Sequence, residues 1–340
     1  MSRNFDRQTS VGKTVSELLF APLLEKNISP VIVDAGARNG IFDIPESYTR
    51  EATFVGFEPN LEEYEKLVNE ATDANKLGIK QPDFKHKKYH RTALWSSNEE
   101  RTFYVTEGAG ACTLMGHAQK NITEKMFRDN DRGESYGARH TEVRETIPVG
   151  CKALDSLLTE TIDYLKIDVE GAELDILQGA KRLLENNDIL FIKTEFVFTP
   201  YYERHPVLGY QHVYLDQMGL RLLDLDDEHA KYSRGRSNIP AEADRRLVYA
   251  GDAYFALDPD RNNISAEKCH RLGVISIVYG FHSFGVSLLR DAALLTLQEI
   301  DAIEQTLSFL PMRTRMKNNW LTFPDKMSKI YWAIRRFFTK

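Results

Sequence analysis

The sequence predicts an α/β fold: a doubly wound sheet of seven strands, followed by a helical C-terminal extension. Short apolar segments alternate with segments whose apolar residues recur at helical spacing, which is typical of strands joined by crossover helices. Several of the apolar segments end in an acidic residue or a glycine, as strands do when they lead into turns. With 42% hydrophobic and 28% charged residues, the composition is that of a globular protein.

The first half of the chain supplies the first strands. Helical spacing over 14–26 predicts an N-terminal helix, and apolar runs at 30–36 and 53–57 predict buried strands. A helix over 61–68 and strands over 84–95 and 102–106 follow. The stretch 107–147 is rich in Gly, Arg, Asp and Glu and has little periodicity, so we expect an insertion that acts as a lid or substrate loop.

The second half repeats the alternation of strand and helix. Strands are predicted at 164–169, 189–196, 220–225 and 246–257, with helices over 170–184 and 207–218. From residue 258 the pattern is helical. We therefore expect three parts: an N-terminal helical segment (1–29), a ligand-binding domain (30–257) that includes the insertion, and a helical extension (258–340).

Charge patterning limits the partners. The formal net charge of −6 argues against a nucleic-acid-binding protein. The tail 311–340 differs, because it holds eight basic residues and one acidic residue. Apolar residues of 327–338 share one helical face there, so the tail predicts a basic amphipathic helix. It either docks on the body of the protein or contacts a membrane surface or a partner protein.

The chain start lacks the apolar core of a secretory signal. Its three cysteines, Cys112, Cys151 and Cys269, are far apart and predict reduced thiols. Residues 272–289 contain no Asp, Glu, Lys or Arg, but their polar residues favour a buried helix or hairpin over a membrane span. We expect a cytoplasmic protein that associates with membranes, if at all, through its tail.

Carboxylates follow four of the predicted strands. Asp34, Glu58 and Glu195 end three strands, and Asp168 and Glu170 follow a fourth. In open α/β sheets ligands bind outside the carboxyl ends of the strands, so we expect these acids at one site.

A glycine loop, Gly36-Ala37-Arg38-Asn39-Gly40, follows the first predicted strand. Such a turn lets backbone N–H groups approach a ligand closely. Glu58 follows Gly36 by 22 residues, a spacing that suits an acid binding ribose hydroxyls. Arg38 stands where a pyrophosphate-binding loop needs its second glycine. The loop therefore disfavours a pyrophosphate but leaves room for a nucleoside without phosphates, and an NAD-dependent oxidoreductase remains the alternative.

The sequence resembles the FkbM-type class I methyltransferases, which depend on S-adenosylmethionine (SAM). The resemblance covers about 30–257 and rests on four segments: Val33-Asp34-Ala35-Gly36-Ala37, Phe57-Glu58-Pro59-Asn60, Leu154-Asp155-Ser156-Leu157 and Leu165-Lys166-Ile167-Asp168-Val169-Glu170-Gly171-Ala172-Glu173. It implies a Rossmann-like sheet and O-methylation, often of sugar hydroxyls in natural products and surface glycans. The usual family loop has an asparagine where Arg38 stands.

The resemblance also implies roles for individual residues. Asp34 and Gly36 would border the methionine end of SAM, with Ala37, Arg38, Asn39 and Gly40 completing the loop. Glu58 and Pro59 would hold the ribose, and Thr92 and Ala93 would lie near the adenine. Asp168 would face the positively charged methionyl or sulfonium end.

A sugar hydroxyl is a poor nucleophile, so methyl transfer to it needs a base or a metal. The candidates at this edge are Asp168, Glu195, His205 and His212, and we favour Glu195, which ends a strand next to that of Asp168. Asp168 and Glu195 together are also a candidate pair for a divalent metal. A protein that binds the cofactor without catalysis and acts through its tail is a further alternative.

Overall fold

The computed structural model describes residues 18–20, 22–25, 27–42, 44, 46–79, 81–126, 139–226, 231–232 and 247–308. The predicted amphipathic tail 311–340, most of the segment 1–29 and the middle of the insertion lie outside these residues. The predictions made for them stay predictions.

A seven-stranded sheet forms the centre of the molecule, which confirms the predicted fold class. In chain order the strands of the structure are β1 (Val31–Ala35), β2 (Thr53–Phe57), β3 (His86–His90), β4 (Ala93–Leu94), β5 (Glu99–Thr106), β6 (Val143–Lys152), β7 (Tyr164–Ile167), β8 (Phe191–Val197), β9 (Leu220–Asp226), β10 (Lys231–Tyr232), β11 (Leu247–Val248) and β12 (Ala250–Leu257). The central sheet has the order β3-β2-β1-β7-β8-β12-β9.

The sheet is not parallel throughout, although the predicted alternation of strands and crossover helices favours parallel strands. β12 runs antiparallel to both of its neighbours, β8 and β9. β9 ends at the carboxyl edge of the sheet and β12 begins at the same edge. β12 therefore runs in the direction opposite to that of β8 and β9. The other pairs in this sheet, from β3 to β8, are parallel.

Ten labelled helices surround the described strands. They are α1 (Glu46–Thr49), α2 (Leu61–Val68), α3 (Asp73–Lys76), α4 (Lys120–Met126), α5 (Glu173–Gln178), α6 (Lys181–Glu185), α7 (Leu208–Gln217), α8 (Ala266–Val278), α9 (His282–Ala292) and α10 (Leu297–Ser308). Residues 18–20 and 22–25 are also helical. The start of α2 has a local cause: the side chain of Asn60 accepts hydrogen bonds from the N–H groups of Glu62 and Glu63.

Each face of the central sheet buries its own apolar core. On one face, Ile32, Phe54 and Tyr164 pack with Leu272 and Ile275 of α8. On the other face, strand residues pack against α5, α6 and α7. Alternate side chains of a strand point to opposite faces, so the fully apolar runs seen in the sequence supply both cores.

The described part of the C-terminal extension packs directly on the sheet. The charge-free stretch 272–289 forms the hairpin of α8 and α9, in agreement with the sequence prediction. The two helices of this hairpin cross closely: a β-carbon on Gly285 would lie 2.7 Å from the carbonyl oxygen of Gly273. Among the described residues, no helix combines the length and apolar content that a bilayer crossing requires.

The predictions for 84–106 and for the insertion need correction. The segment 84–95 splits between two sheets, since β3 joins the central sheet while β4 pairs with β6. β6 also pairs antiparallel with β5 and begins inside the predicted irregular insertion. Most of its residues between Val143 and Gly150 are exposed. Glu145 interrupts the alternation of its apolar residues and Pro148 argues against a strand, so the strand was not recognised in the sequence.

Candidate active site

A cleft opens at the carboxyl edge of β1, β2 and β7, covered by β5 and the residues that follow it. It encloses about 840 Å³ of empty space, its open mouth included. The described residues that line it are Ala35, Gly36, Arg38, Phe57, Glu58, Pro59, Asn60, Thr92, Ala93, Leu94, Phe103, Ala109, Gly110, Cys112, Leu114, Lys166, Asp168, Val169, Glu170 and Ala172.

The glycine loop forms the floor of the cleft. Gly36 has a φ of +88°, and its N–H and that of Ala37 donate to the carbonyl of Phe57 at 3.2 and 3.0 Å. Asn39 and Gly40 also have positive φ values. The loop therefore turns sharply from β1 and stays pinned to the end of β2.

Arg38 fixes the loop to two helices. Its Nε lies 3.2 Å from Glu63 Oε2, and its Nη2 lies 3.3 Å from Asp73 Oδ2. The same side chain lines the cleft and reaches Gly110, where a β-carbon would be 3.4 Å from Arg38 Nη1. The bulky residue that distinguishes this loop thus ties it to α2 and α3.

Glu58 is buried at the end of β2, with 6% of its surface exposed. Its Oε1 accepts a hydrogen bond from the N–H of Asn60 at 2.8 Å. Burial raises the pKa of Glu58 to about 7, with the nearby Glu63 and Asp34 acting in the same direction. A carboxyl group facing the cleft in this way suits the hydroxyls of a ribose.

Apolar residues form the cleft wall beyond Glu58. Phe57, Leu94, Phe103 and Leu114 are buried and line it, next to Thr92 and Ala93. The hydroxyl of Thr92 donates to the carbonyl of Gly150 at 2.6 Å, which connects this wall to β6.

Lys166 joins two of the predicted carboxylates. Its Nζ lies 3.2 Å from Asp34 Oδ1 and 3.3 Å from Asp168 Oδ2. Asp34 and Lys166 are register partners on β1 and β7. Asp34 is fully buried and lies below the cleft lining, whereas Asp168 lines the cleft and its pKa is lowered by Lys166.

Glu170 has an unusual backbone conformation. Its φ is +59°, in the left-handed region, and Gly171 follows with +110°. Thr113 donates to the carbonyl of Glu170 at 2.7 Å, and the Tyr201 hydroxyl donates to its Oε2 at 3.2 Å. The buried Glu173 braces this turn by accepting the N–H groups of Val169 and Gly171. The turn directs Glu170 into the cleft rather than into the first turn of α5.

Glu195 lies behind this turn on β8. Carboxylate oxygens of Asp168, Glu170 and Glu195 approach within 4.8 Å of one another. Burial, together with Glu170 and Asp168, raises the pKa of Glu195 well above its usual value. Asp168 already has a cation beside it, the ammonium group of Lys166. The divalent metal predicted at Asp168 and Glu195 remains a prediction.

The two histidines lie in different surroundings. His205 is buried against the rings of Tyr201 and Tyr202, at centroid distances of 4.8 and 5.3 Å. Burial lowers its pKa to about 4, so its ring is neutral at physiological pH. His212 is exposed on α7. Both lie outside the cleft lining.

Several predicted residues therefore line the cleft and others support it. Gly36, Arg38, Glu58, Pro59, Thr92, Ala93 and Asp168 line it, whereas Asp34, Ala37, Asn39, Gly40, Glu195 and His205 lie behind the lining. Sequence reasoning missed Lys166 and Tyr201, and its predicted helix over 170–184 placed Glu170 at a helix start. Lys166 was detectable, because it precedes Asp168 by two positions and so shares its face of the strand.

One protein family matches the sequence of this chain. The profile of the family described as "Methyltransferase FkbM domain" matches residues 34–231, more than half of the chain. No curated protein sequence matches.

Solved structures are similar at low identity. Methyltransferase FkbM from Methylobacillus flagellatus KT is 15% identical with a TM-score of 0.35, over 67% of this chain and 43% of that one. The chain thus spans less than half of that protein. Magnesium protoporphyrin IX methyltransferase from Synechocystis PCC 6803 with bound SAM is 11% identical with a TM-score of 0.31, over 75% and 88% of the two chains.

Proposed function

Because the chain belongs to the FkbM methyltransferase family, we propose that it transfers the methyl group of SAM to a hydroxyl of a sugar or glycan precursor. The observation that supports the cofactor is the buried carboxyl of Glu58, which faces a cleft floored by the Gly36 loop. An acid at the end of the second strand beside a glycine turn is suited to a nucleoside.

The residues of the cleft fit SAM in three regions. Glu58 would accept hydrogen bonds from the ribose hydroxyls, and the apolar wall that includes Phe57 and Phe103 would hold the adenine, since all three residues line the cleft. Asp168 would supply negative charge beside the methionine portion. When bound, SAM would supply a methyl group that needs no further activation, because it is attached to a positively charged sulfur. The residues of this chain then have to align the acceptor and take up its proton.

Glu195 is the favoured base, with Asp168 beside it. A carboxyl group whose pKa is raised above its usual value holds a proton more readily near neutral pH, as general base catalysis requires. His205 is neutral and lies outside the cleft lining, so we assign it no contact with the acceptor. The carboxyls of Glu170 and Glu195 and the hydroxyl of Tyr201 are partners that sugar hydroxyls can use.

The first experiment is calorimetric titration with S-adenosylhomocysteine (SAH), with NAD as the comparison ligand. We expect micromolar binding of SAH alone. Glu58→Ala should weaken it at least tenfold, since a hydrogen bond to a charged group contributes about 1.5–3 kcal/mol. Glu62→Ala is the matched control, because the Glu62 side chain is 67% exposed on the adjacent helix turn.

Binding of NAD alone would contradict the cofactor assignment, whereas equal SAH affinity in both variants would remove Glu58 from the site. Radiolabelled SAM with a panel of sugars, phenols and amines then tests the acceptor. Label transfer to phenols or amines but to no sugar would refute the acceptor class while leaving the cofactor in place.

A further inference from the structure

Lys166 is one of two cations in the described lining of the cleft. The charged residues of that lining are Arg38, Glu58, Lys166, Asp168 and Glu170. Lys166 stands in β7, whose other three residues are buried. Lysine is seldom found in a buried strand unless its ammonium group is paired. Here the pairing takes place at the edge of the cleft, and 16% of the lysine side chain is exposed.

One ammonium group is shared by two carboxylates at this point of the cleft. The Nζ of Lys166 lies 3.2 Å from Asp34 Oδ1 and 3.3 Å from Asp168 Oδ2, so the three groups have a formal net charge of −1. Asp34 is fully buried, whereas Asp168 and Lys166 both line the cleft. The cleft wall therefore presents one negative and one positive group side by side.

Resting on the proposed function, we propose that Lys166 binds the α-carboxylate in the methionine portion of the cofactor, while Asp168 binds its α-ammonium group. A cation next to an anion is complementary to the two opposite charges of an α-amino acid. In the free protein Lys166 and Asp168 bind each other. With the cofactor bound, each of them gains a partner of opposite charge, and Lys166 is the residue that recognises the carboxylate.

The position of Lys166 in the sheet suits the methionine end of the cofactor. Glu58, the proposed ribose ligand, follows β2, and β1 separates β2 from β7. Two strand spacings put the end of β7 roughly 10 Å from that of β2, and the ribose and the carboxylate likewise stand at opposite ends of the cofactor. Arg38, the second cation of the described lining, belongs to the β2 side, because it contacts Glu63 of α2.

The charges of the cofactor match those of the three groups. The methionine portion of SAM carries a sulfonium, an ammonium and a carboxylate, and so has one more positive than negative charge. Asp34, Lys166 and Asp168 together have one more negative than positive charge. Without Lys166, the carboxylate of the cofactor would meet two carboxylates and be repelled. Lys166 therefore makes the cleft selective for a nucleoside that carries an amino acid with its carboxylate.

Two ligands test this role without an acceptor: SAH, and decarboxylated SAH, which lacks only the carboxylate. Calorimetric titration of the wild type should give at least tenfold tighter binding of SAH, as expected for a hydrogen bond between charged groups. In Lys166→Met the affinity for SAH should fall at least tenfold, whereas the affinity for decarboxylated SAH should not fall. The variant should therefore no longer distinguish the two ligands.

Lys193→Met is the matched control. Lys193 is the register partner of Lys166 on β8, and its side chain is also 16% exposed, but it pairs with Asp252 and does not line the cleft. Its variant should keep the preference for SAH. Lys166→Met leaves Asp34 buried without this cation, which threatens folding. The double variant Lys166→Met/Asp34→Asn removes both charges and should lose the preference in the same way.

The outcomes separate a binding lysine from a structural one. Equal loss of affinity for both ligands in Lys166→Met and in the double variant would show that Lys166 only supports the fold, and would overturn the proposal. An unchanged preference for SAH in the double variant, or its loss in Lys193→Met, would overturn it as well, while leaving the cofactor assignment in place. If the wild type binds neither ligand, the proposed function fails, and this inference fails with it.

Discussion

Gly36 lies directly against the backbone of Asp168: a β-carbon on Gly36 would stand 2.0 Å from the Asp168 carbonyl oxygen. The N–H of Asp168 also donates to the carbonyl of Ala35 at 3.0 Å. The ends of β1 and β7 are therefore locked together at the cleft. The position of Asp168 depends on the absence of a side chain at residue 36.

Gly36→Ala should abolish cofactor binding. The new methyl group meets the backbone of Asp168, and the φ of +88° adds about 1–2 kcal/mol of strain. We expect SAH affinity to fall more than tenfold in calorimetry, together with a lower urea midpoint. Gly209→Ala on α7 is the control, since no atom lies within 4 Å of its β-carbon. Equal behaviour of the two variants would contradict the assigned contact.

The pH dependence of SAH binding should report Glu58. Its pKa in the folded protein is about 7, and the ionised carboxylate is the better acceptor for ribose hydroxyls. Affinity should therefore increase from pH 6 to pH 8, by at most about tenfold for one group. Glu58→Gln should flatten this profile. A profile that is unchanged in the variant would mean that another group titrates.

The same ionisation affects stability in the opposite sense. Because the folded pKa of Glu58 is raised, the folded protein holds a proton that the unfolded chain releases near pH 4.5. Glu58 therefore favours folding at low pH, and this contribution is lost as the pH rises to about 7. Urea unfolding of the wild type and Glu58→Gln between pH 5 and pH 8 measures it. We expect Glu58→Gln to lose less stability than the wild type between pH 5 and pH 8.

A buried ion pair connects α8 to the sheet. Arg271 Nη2 donates to Asp163 Oδ2 at 2.6 Å, and the same oxygen accepts the N–H of Val31. Arg271→Met leaves Asp163 buried without its cation and should cost about 3–5 kcal/mol in urea unfolding. Arg290→Met, which breaks an exposed contact with Glu304, should cost less than about 1 kcal/mol. Similar losses of stability in the two variants would show that the buried ion pair contributes no more than the exposed one.

The crossing of α8 and α9 should tolerate no added methyl group. A β-carbon on Gly285 would lie 2.5 Å from Ile277 Cγ1 and 2.7 Å from the Gly273 carbonyl oxygen. Gly285→Ala should destabilise the protein by about 1–3 kcal/mol through overpacking. The reference is Gly150→Ala on β6, where the β-carbon meets nothing within 4 Å. A midpoint for Gly285→Ala equal to that of the reference would argue against the close crossing.

The fold was largely predictable because its signals are local. The apolar runs that became β1, β2 and β8 are read directly from neighbouring residues, and so is the glycine turn after β1. β6 was missed although Val143, Ile147, Val149 and Cys151 recur at alternate positions, because Glu145 interrupts this pattern and Pro148 argues against a strand. The direction of β12 was also missed, because strand direction depends on where the chain returns to the sheet.

The residues of the site likewise divide into those that the sequence predicts and those whose position depends on the tertiary structure. The sequence by itself determined that Gly36, Glu58 and Asp168 belong to one edge, since residues that end parallel strands must meet there. Only the tertiary structure decided which acids face the cleft. Asp34 lies below it, because the register of β1 and β7 pairs it with Lys166. Glu170 enters it through a left-handed turn stabilised by Thr113 and Glu173. These placements arise from contacts between residues distant in the chain, and burial then sets the charge of each acid.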